Sequence, residues 1–460
     1  MLAIGLPCAR RPRCLLPRPA PTRKRSELLP LAVVGGLCLV ALSLWWFRGS
    51  RSASAPDVQA VAPRPAAPAA PVPTELIVAP LSPAALAAAV PGADGAMHLT
   101  TTTGADLTLT LDPRLQAGLK KHLSQLRVPY VAIVLMDPQT GALRAVVEHR
   151  EAGDPVATPG DLGQARVPAA SVFKVVAAAA LLQAGQTPES SVCFHGGRHG
   201  IDPSNLAPSP RDQRCETLTE ALARSTNGAF ARFAATALQP GDLTRAATRL
   251  GFGAGLASDL VTGPSRCEEG TTLLDRGRCA PGFAGSSLSP LHAAFLAATV
   301  AHGGLAMRPY VVAADSSQPG FTREPTPLGQ VLPAAVAADL ARMMAQTVVA
   351  GTGRMAFSQR PASLRAMAIA GKTGSLSDTD PNVYRHFSWF VGFAPAEDPK
   401  VAVAVLAING LRWRAKAAGL ARDALGLYFE TGEAPTAATA AAPPQLARGA
   451  ALLDGAAERH

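Results

Sequence analysis

The chain has 460 residues, 48% of them hydrophobic and 17% charged, with a formal net charge of +10. That composition fits a globular protein with a large core and room for one or two domains. The positive charge does not mark a nucleic-acid binder, because it is concentrated before Glu27 in Arg10, Arg11, Arg13, Arg18, Arg23, Lys24 and Arg25, while the chain beyond Arg51 is close to neutral.

Those charges precede LLPLAVVGGLCLVALSLWWF, Leu28 to Phe47, which has no charged residue. At about 1.5 Å per residue it spans roughly 30 Å, one bilayer crossing. The excess of positive charge before it over Arg48 and Arg51 after it predicts a basic cytoplasmic segment at 1–27, a transmembrane helix at 28–47 and everything later outside the membrane. Trp45 and Trp46 suit the outer interface. A cleaved signal peptide is the competing reading, since Ala53 to Ala55 reads ASA, but the apolar run exceeds the usual ~7–15-residue core of such peptides. Residues 48–96 are dominated by Pro and Ala and predict an extended linker, with a reach on the order of 100 Å. The tail at 431–460 reads as low-complexity sequence.

What remains, 97–430, predicts one folded unit without internal repeats. ADLTLTLD alternates like a strand and DPRLQAGLKKHLSQL is spaced like a helix, while VAIVLMD, DPQTG and ALRAVVE predict a hairpin. A mostly helical middle includes LTEALARSTNGAFARFAATAL and SPLHAAFLAATVAHGG. The strand-like runs AMAIAGKTG, HFSWFVGFAP and KVAVAVLAI close the domain, followed by a helix from about Trp413. Strands at both ends with helices between predict an α+β layered domain.

Four cysteines fall on the outer side: Cys193, Cys215, Cys267 and Cys279. Each consecutive pair closes a short loop in an exported domain, which predicts the disulfides Cys193–Cys215 and Cys267–Cys279. No C-x-x-C pair or suitable His spacing supports a zinc site instead.

The chain has only seven lysines against 36 arginines. Arginine cannot give up its proton, whereas a desolvated lysine can. Two of the seven stand in telling settings. In PAASVFKVVAAAALLQAG, Ser171 and Lys174 start an apolar stretch that forms a helix only if protein covers it, and residues three apart share a helical face. Taken alone, this reads as a serine N-cap followed by a snorkelling lysine. Lys372, Thr373 and Gly374 end the strand-like AMAIAG, with Ser375 following. Ser225 and Asn227 interrupt a helical stretch where capping residues are natural.

Together and in this order, S-x-x-K, S-x-N and K-T-G resemble the active-site triplet of penicillin-binding proteins and serine β-lactamases. LTLDPRLQ, VLMDPQTGALRAVV, AGTG at Ala350 to Gly353 and SWFVGFAP are also similar to transpeptidase domains, so the resemblance covers nearly the whole folded unit. It implies an antiparallel sheet flanked by helices, with an all-helical subdomain. It further implies Ser171 as nucleophile, Lys174 as its base and Ser225 as proton relay to the leaving amine, with Asn227 binding the substrate amide. Lys372, Thr373, Gly374 and Ser375 would form the substrate-binding strand, the two side chains Lys372 and Thr373 holding a terminal carboxylate. The backbone N–H groups of Ser171 and Ser375 would form the oxyanion hole.

The implied substrate is the D-Ala-D-Ala end of a peptidoglycan stem peptide. The resemblance further implies β-lactams as covalent inhibitors, no cofactor, no metal, and a catalytic domain in the periplasm beside the bacterial inner membrane, with other wall-synthesis proteins as natural partners. A D,D-carboxypeptidase or β-lactamase shares the first chemical step, and a β-lactam sensor is the non-enzymatic alternative. HGID at His199 to Asp202 reads as part of an insertion loop.

Overall fold

The computed structural model describes residues 80–431, apart from 319, 322, 379 and 381. Its centre is a five-stranded antiparallel sheet of β1 (Tyr130–Met136), β2 (Leu143–Arg150), β3 (Ala370–Ser377), β4 (His386–Ala394) and β5 (Val401–Asn409), in the spatial order β3-β4-β5-β1-β2. The early hairpin and the late strands join where β5 faces β1, from Ala402 opposite Met136 to Ile408 opposite Tyr130. Every residue of β1 is buried. Successive strand side chains point to opposite faces. Val131, Ile133 and Leu135 therefore enter one apolar cluster and Ala132, Val134 and Met136 the other.

The helices include α1 (Pro113–Ser124), α2 (Lys174–Gln183), α3 (Leu218–Arg224), α4 (Asn227–Ala237), α5 (Pro290–Ala301), α6 (Ala334–Val349) and α7 (Ala417–Thr431), with further short helices between them. On one face of the sheet α1 contributes Leu115, Leu119 and Leu123, and α7 contributes Leu420 and Leu425. Asp112 caps α1 by accepting the N–H groups of Arg114 and Leu115, and Pro113 stands where no N–H is needed. The other face is covered by α5, buried from Pro290 to Val300. Its alanines let it lie close to β4, β5 and β1. Beyond it, α2, α3 and α4 form a helical layer in the same cluster.

The folded unit begins before the expected boundary at Met97. Pro83–Ala88 is a 3-10 turn capped by Ser82, and the short strand Val90–Pro91 pairs with Met97–Thr100. Leu86 is buried, which gives this Pro- and Ala-rich piece the apolar anchor that its composition obscured. The run Leu28–Phe47 lies outside the described residues. Among those described, no helix is long and apolar enough to cross a membrane.

Strands Ser191–Phe194 and Arg214–Thr217 place Cys193 directly opposite Cys215, and the two are disulfide-bonded. The second expected bridge is absent. Cys267 and Cys279 are free thiols, the first half-buried and the second buried. They are close enough for a side-chain hydrogen bond, which lowers the Cys267 thiol pKa and, together with burial, raises that of Cys279. Sequence spacing identified neighbours, but bond formation also depends on how the two Cβ atoms are aimed.

Candidate active site

Three segments distant in sequence converge at the edge strand β3 and the start of α2. Ser171 is not the helix cap that local sequence suggests. It lies in a 3-10 turn, Ala170–Phe173, which runs directly into α2 at Lys174, and its side chain caps nothing. Ala170 enters this turn with a φ of 48°, a left-handed value unusual for alanine. Gly282 packs against it so closely that a Cβ there would sit 1.9 Å from the Ala170 carbonyl oxygen. On the other side, a Cβ on Gly374 would meet Val172 at 3.2 Å, so the glycine of K-T-G lets β3 approach the turn that carries Ser171.

Lys174 does not snorkel. It is 0% exposed, and its Nζ lies 2.8 Å from Ser171 Oγ, 2.7 Å from Asn227 Oδ1 and 2.9 Å from the Pro281 carbonyl oxygen. Burial holds its pKa well below the usual lysine range, and the nearby charge of Lys372 lowers it further. A neutral amine has two N–H groups and one lone pair. Asn227 Oδ1 and Pro281 O can only accept, so they take the two N–H groups and leave the lone pair to the Ser171 hydroxyl. The pocket thereby aims the amine's lone pair at the Ser171 hydroxyl.

Ser225 and Asn227 are separated by a helix break. α3 ends at Arg224, Ser225 adopts a left-handed conformation (φ 59°, ψ 39°), Thr226 is extended, and α4 starts at Asn227. Ser225 Oγ then lies 2.9 Å from Lys372 Nζ, while Asn227 faces Lys174. Asn227 Nδ2 donates to the Arg198 carbonyl at 3.4 Å, which ties the motif to the insertion loop above the disulfide hairpin.

K-T-G is not at the end of a strand, as its glycine suggested, but inside one. β3 continues through Lys372, Thr373, Gly374 and Ser375 to Ser377, at the sheet's edge. An edge strand has one neighbour, β4, so both its faces and its outer side can border a cleft. Lys372 is 0% exposed, and besides Ser225 its Nζ donates to the Thr373 carbonyl at 2.8 Å. Burial brings its pKa down to about 7. A carboxylate arriving beside it would favour the ammonium form again. Thr373 is half-buried and Ser375 exposed.

Three participants carried no usable sequence signal. Pro281 acts through its backbone carbonyl, which no side-chain pattern announces. Arg198 does the same for Asn227. Thr352, within the AGTG run, places its Oγ1 2.5 Å from Thr373 Oγ1. That run was legible as a likeness, but without a role. Among the described residues, no group of three or more His, Cys, Asp or Glu is arranged to hold a metal ion.

Comparison with known proteins gives a consistent picture. The family model for the penicillin binding protein transpeptidase domain matches residues 131–425. The peptidoglycan D,D-transpeptidase PbpA of Mycobacterium tuberculosis (strain H37Rv) is 29% identical over 344 residues, 67% of this chain and 68% of that protein. PbpA of Mycolicibacterium smegmatis is 32% identical over 254 residues, 53% of this chain and 50% of that one. The crystal structure of PBPA from M. tuberculosis aligns with a TM-score of 0.57 at 25% identity, covering 71% of this chain and 82% of that chain. An imipenem acyl-enzyme complex of penicillin-binding protein A from the same organism gives 0.57 and 25%, covering 71% and 80%.

Proposed function

Because the chain belongs to the penicillin-binding protein transpeptidase domain family, we propose that it is a serine D,D-transpeptidase that cross-links peptidoglycan stem peptides through an acyl-enzyme on Ser171. The observation that carries this reading is the buried Lys174 amine, 2.8 Å from Ser171 Oγ with its other two hydrogen-bond directions already occupied.

The terminal carboxylate of a D-Ala-D-Ala peptide is held by Lys372 and Thr373. Lys174 takes the hydroxyl proton as Ser171 Oγ attacks the carbonyl carbon of the penultimate residue. The tetrahedral oxyanion is received by the N–H groups of Ser171 and Ser375. The C–N bond then breaks, and the departing D-Ala amine takes its proton by way of Ser225, whose hydroxyl Lys372 holds. Asn227 bonds the substrate amide while keeping Lys174 in place. An acceptor amine resolves the acyl-enzyme to the cross-linked product; water in its place gives carboxypeptidase chemistry. A β-lactam enters the same first step and stays attached to Ser171. The apolar run Leu28–Phe47 anchors the protein in the cytoplasmic membrane, with the catalytic domain on the outer side.

The test is incubation of the full chain with a labelled penicillin, followed by peptide mapping. Label is expected on the peptide containing Ser171 and absent from Ser171→Ala. Stoichiometric label persisting in that variant overturns the assignment. Release of D-Ala from an acylated D-Ala-D-Ala peptide, and its capture by an added amine, tests the natural reaction.

A further inference from the structure

Along β3, the outward-facing positions after Thr373 are Ser375 and Ser377, both exposed. Ser377 opens onto a group of rings. Its Oγ lies 3.0 Å from His386 Nδ1 and accepts from the Tyr384 hydroxyl at 3.3 Å. His386 stands edge-on to Tyr384, with ring centres 4.7 Å apart, and stacks on Trp413 at 4.7 Å and 24°. These rings are not core. Tyr384 is 42% exposed, Trp413 41% and the neighbouring Leu411 80%.

Trp413 is also flanked by charge. Arg412 and Arg414 are both exposed, and among the described residues neither has a carboxylate within ion-pair distance. The acids nearest in the β3–β4 turn, Asp378 and Asp380, are taken by Arg385 at 2.7 and 3.4 Å. The patch is therefore apolar, aromatic and cationic, and it continues the substrate strand.

We propose that this surface, formed by Tyr384, His386, Leu411, Arg412, Trp413 and Arg414, is a subsite for the part of the donor peptide that precedes its D-Ala-D-Ala end, and that it selects a free carboxylate there. The inference rests on the D,D-transpeptidase reading. With the terminal carboxylate at Thr373 and the scissile carbonyl at Ser375, the donor runs along β3 towards Ser377. An extended peptide advances about 3.3 Å per residue. The residue before the D-Ala pair thus comes level with Leu376, and the one before that with Ser377 and the rings beside it. His386 is stacked on Trp413 and Lys416 Nζ lies 5.8 Å from the Trp413 ring centre, so it is the exposed parts of Tyr384, Trp413 and Leu411 that cover the aliphatic stem, while the two guanidiniums meet the carboxylate. Arginine forks suit a carboxylate better than any neutral amide, which makes the selection electrostatic.

Three acyl donors separate the possibilities: a short Nα-acetyl-L-Lys-D-Ala-D-Ala, the same peptide extended by γ-linked D-Glu with its carboxylate free, and that extension amidated. The full chain is assayed for D-Ala release. The free-carboxylate donor is expected to show a kcat/KM about five- to tenfold above the other two, mainly through KM, as suits partly exposed charge pairs. The advantage should shrink when sodium chloride is raised from about 50 to 500 mM, because salt screens such pairs. The double variant R412E/R414E should lose the advantage. Trp413→Ala should weaken both extended donors relative to the short one.

Equal kcat/KM for the free and amidated donors in the unmodified chain overturns the inference. So does an equal loss on all three donors in the arginine variant with an unchanged melting transition. If no donor releases D-Ala, the D,D-transpeptidase reading itself falls; if all three release it equally, that reading stands and only the subsite falls.

Discussion

Replacing Lys174 with methionine removes the amine while keeping a chain of similar length. Its structural cost can be read from three contacts. The Asn227 Oδ1 and Pro281 carbonyl acceptors, at 2.7 and 2.9 Å, lose their donor. A buried acceptor left unsatisfied costs about 1–3 kcal/mol. Against that, the variant no longer buries a lysine amine at a site with 0% exposure, and the apolar end of methionine suits contact with the Phe230 ring, which Lys174 Nζ approaches to 5.7 Å. The net destabilisation should be about 1–3 kcal/mol, a fall in melting temperature of at most a few degrees per kcal/mol for a domain this large. The rate is affected far more. A positioned general base contributes about 10²–10⁴-fold, or roughly 3–5 kcal/mol of barrier.

The second-order rate of acylation by labelled penicillin, measured near neutral pH alongside thermal unfolding, should therefore fall by about two to four orders of magnitude in a still-folded protein. Lys174→Arg should be as inactive and less stable, because arginine brings an obligatory charge into the same buried site. Acylation of Lys174→Met within tenfold of the unmodified rate would refute the role given to this amine.

Lys372 has a pKa brought down to about 7 from 10.5, so between those values the unfolded chain holds a proton that the folded protein has released. Stability should accordingly rise with pH across that window, and Lys372→Met should flatten the rise in urea midpoint; parallel profiles would contradict the assignment. Removing the Cys193–Cys215 bridge, which spans a sequence separation of 22 residues, should cost about 3 kcal/mol on the chain-entropy estimate, read as a lower urea midpoint, with no change as the contrary result. The penicilloyl-enzyme should persist for many minutes, because the interval Gly228 to Gly371 contains Glu268, Glu269 and Glu324 but no asparagine, and so lacks the Glu-and-Asn loop of the commonest serine lactamases. Mass-spectrometric decay of the adduct within about a second would instead indicate an efficient hydrolase.

Periodicity made much of the fold legible. The β1–β2 hairpin, α1, α5 and the three closing strands lie close to where alternation and helical spacing put them. The lysines were legible for a chemical reason, since a lysine retained in an arginine-rich chain invites a role that needs a proton to leave. What local pattern could not provide was tertiary override. Ser171 looked like a cap because serine at a helix start usually is one, yet the turn before α2 is fixed by Gly282 and Gly374 from distant segments. The K-T-G glycine suggested a strand end, whereas pairing with β4 carries β3 onward to Ser377. Pro281 and Arg198 act through carbonyl groups, which every residue has. Cys267 and Cys279 were read as bonded from spacing, which carries no information about side-chain direction.

The two-residue break between α3 and α4 has a consequence for any attempt to make this protein more robust. On an unbroken helix, residues two apart do not face the same way. Here the left-handed Ser225 and the extended Thr226 turn the chain so that Ser225 meets one lysine and Asn227 the other. Substitutions chosen to extend α3 into α4 would remove an unfavourable backbone conformation and join two short helices into a longer one. They would also rotate one of the two side chains out of the cleft. Gains in melting temperature at this position should therefore come at the expense of turnover, because the local strain is what allows one short segment to serve two amines.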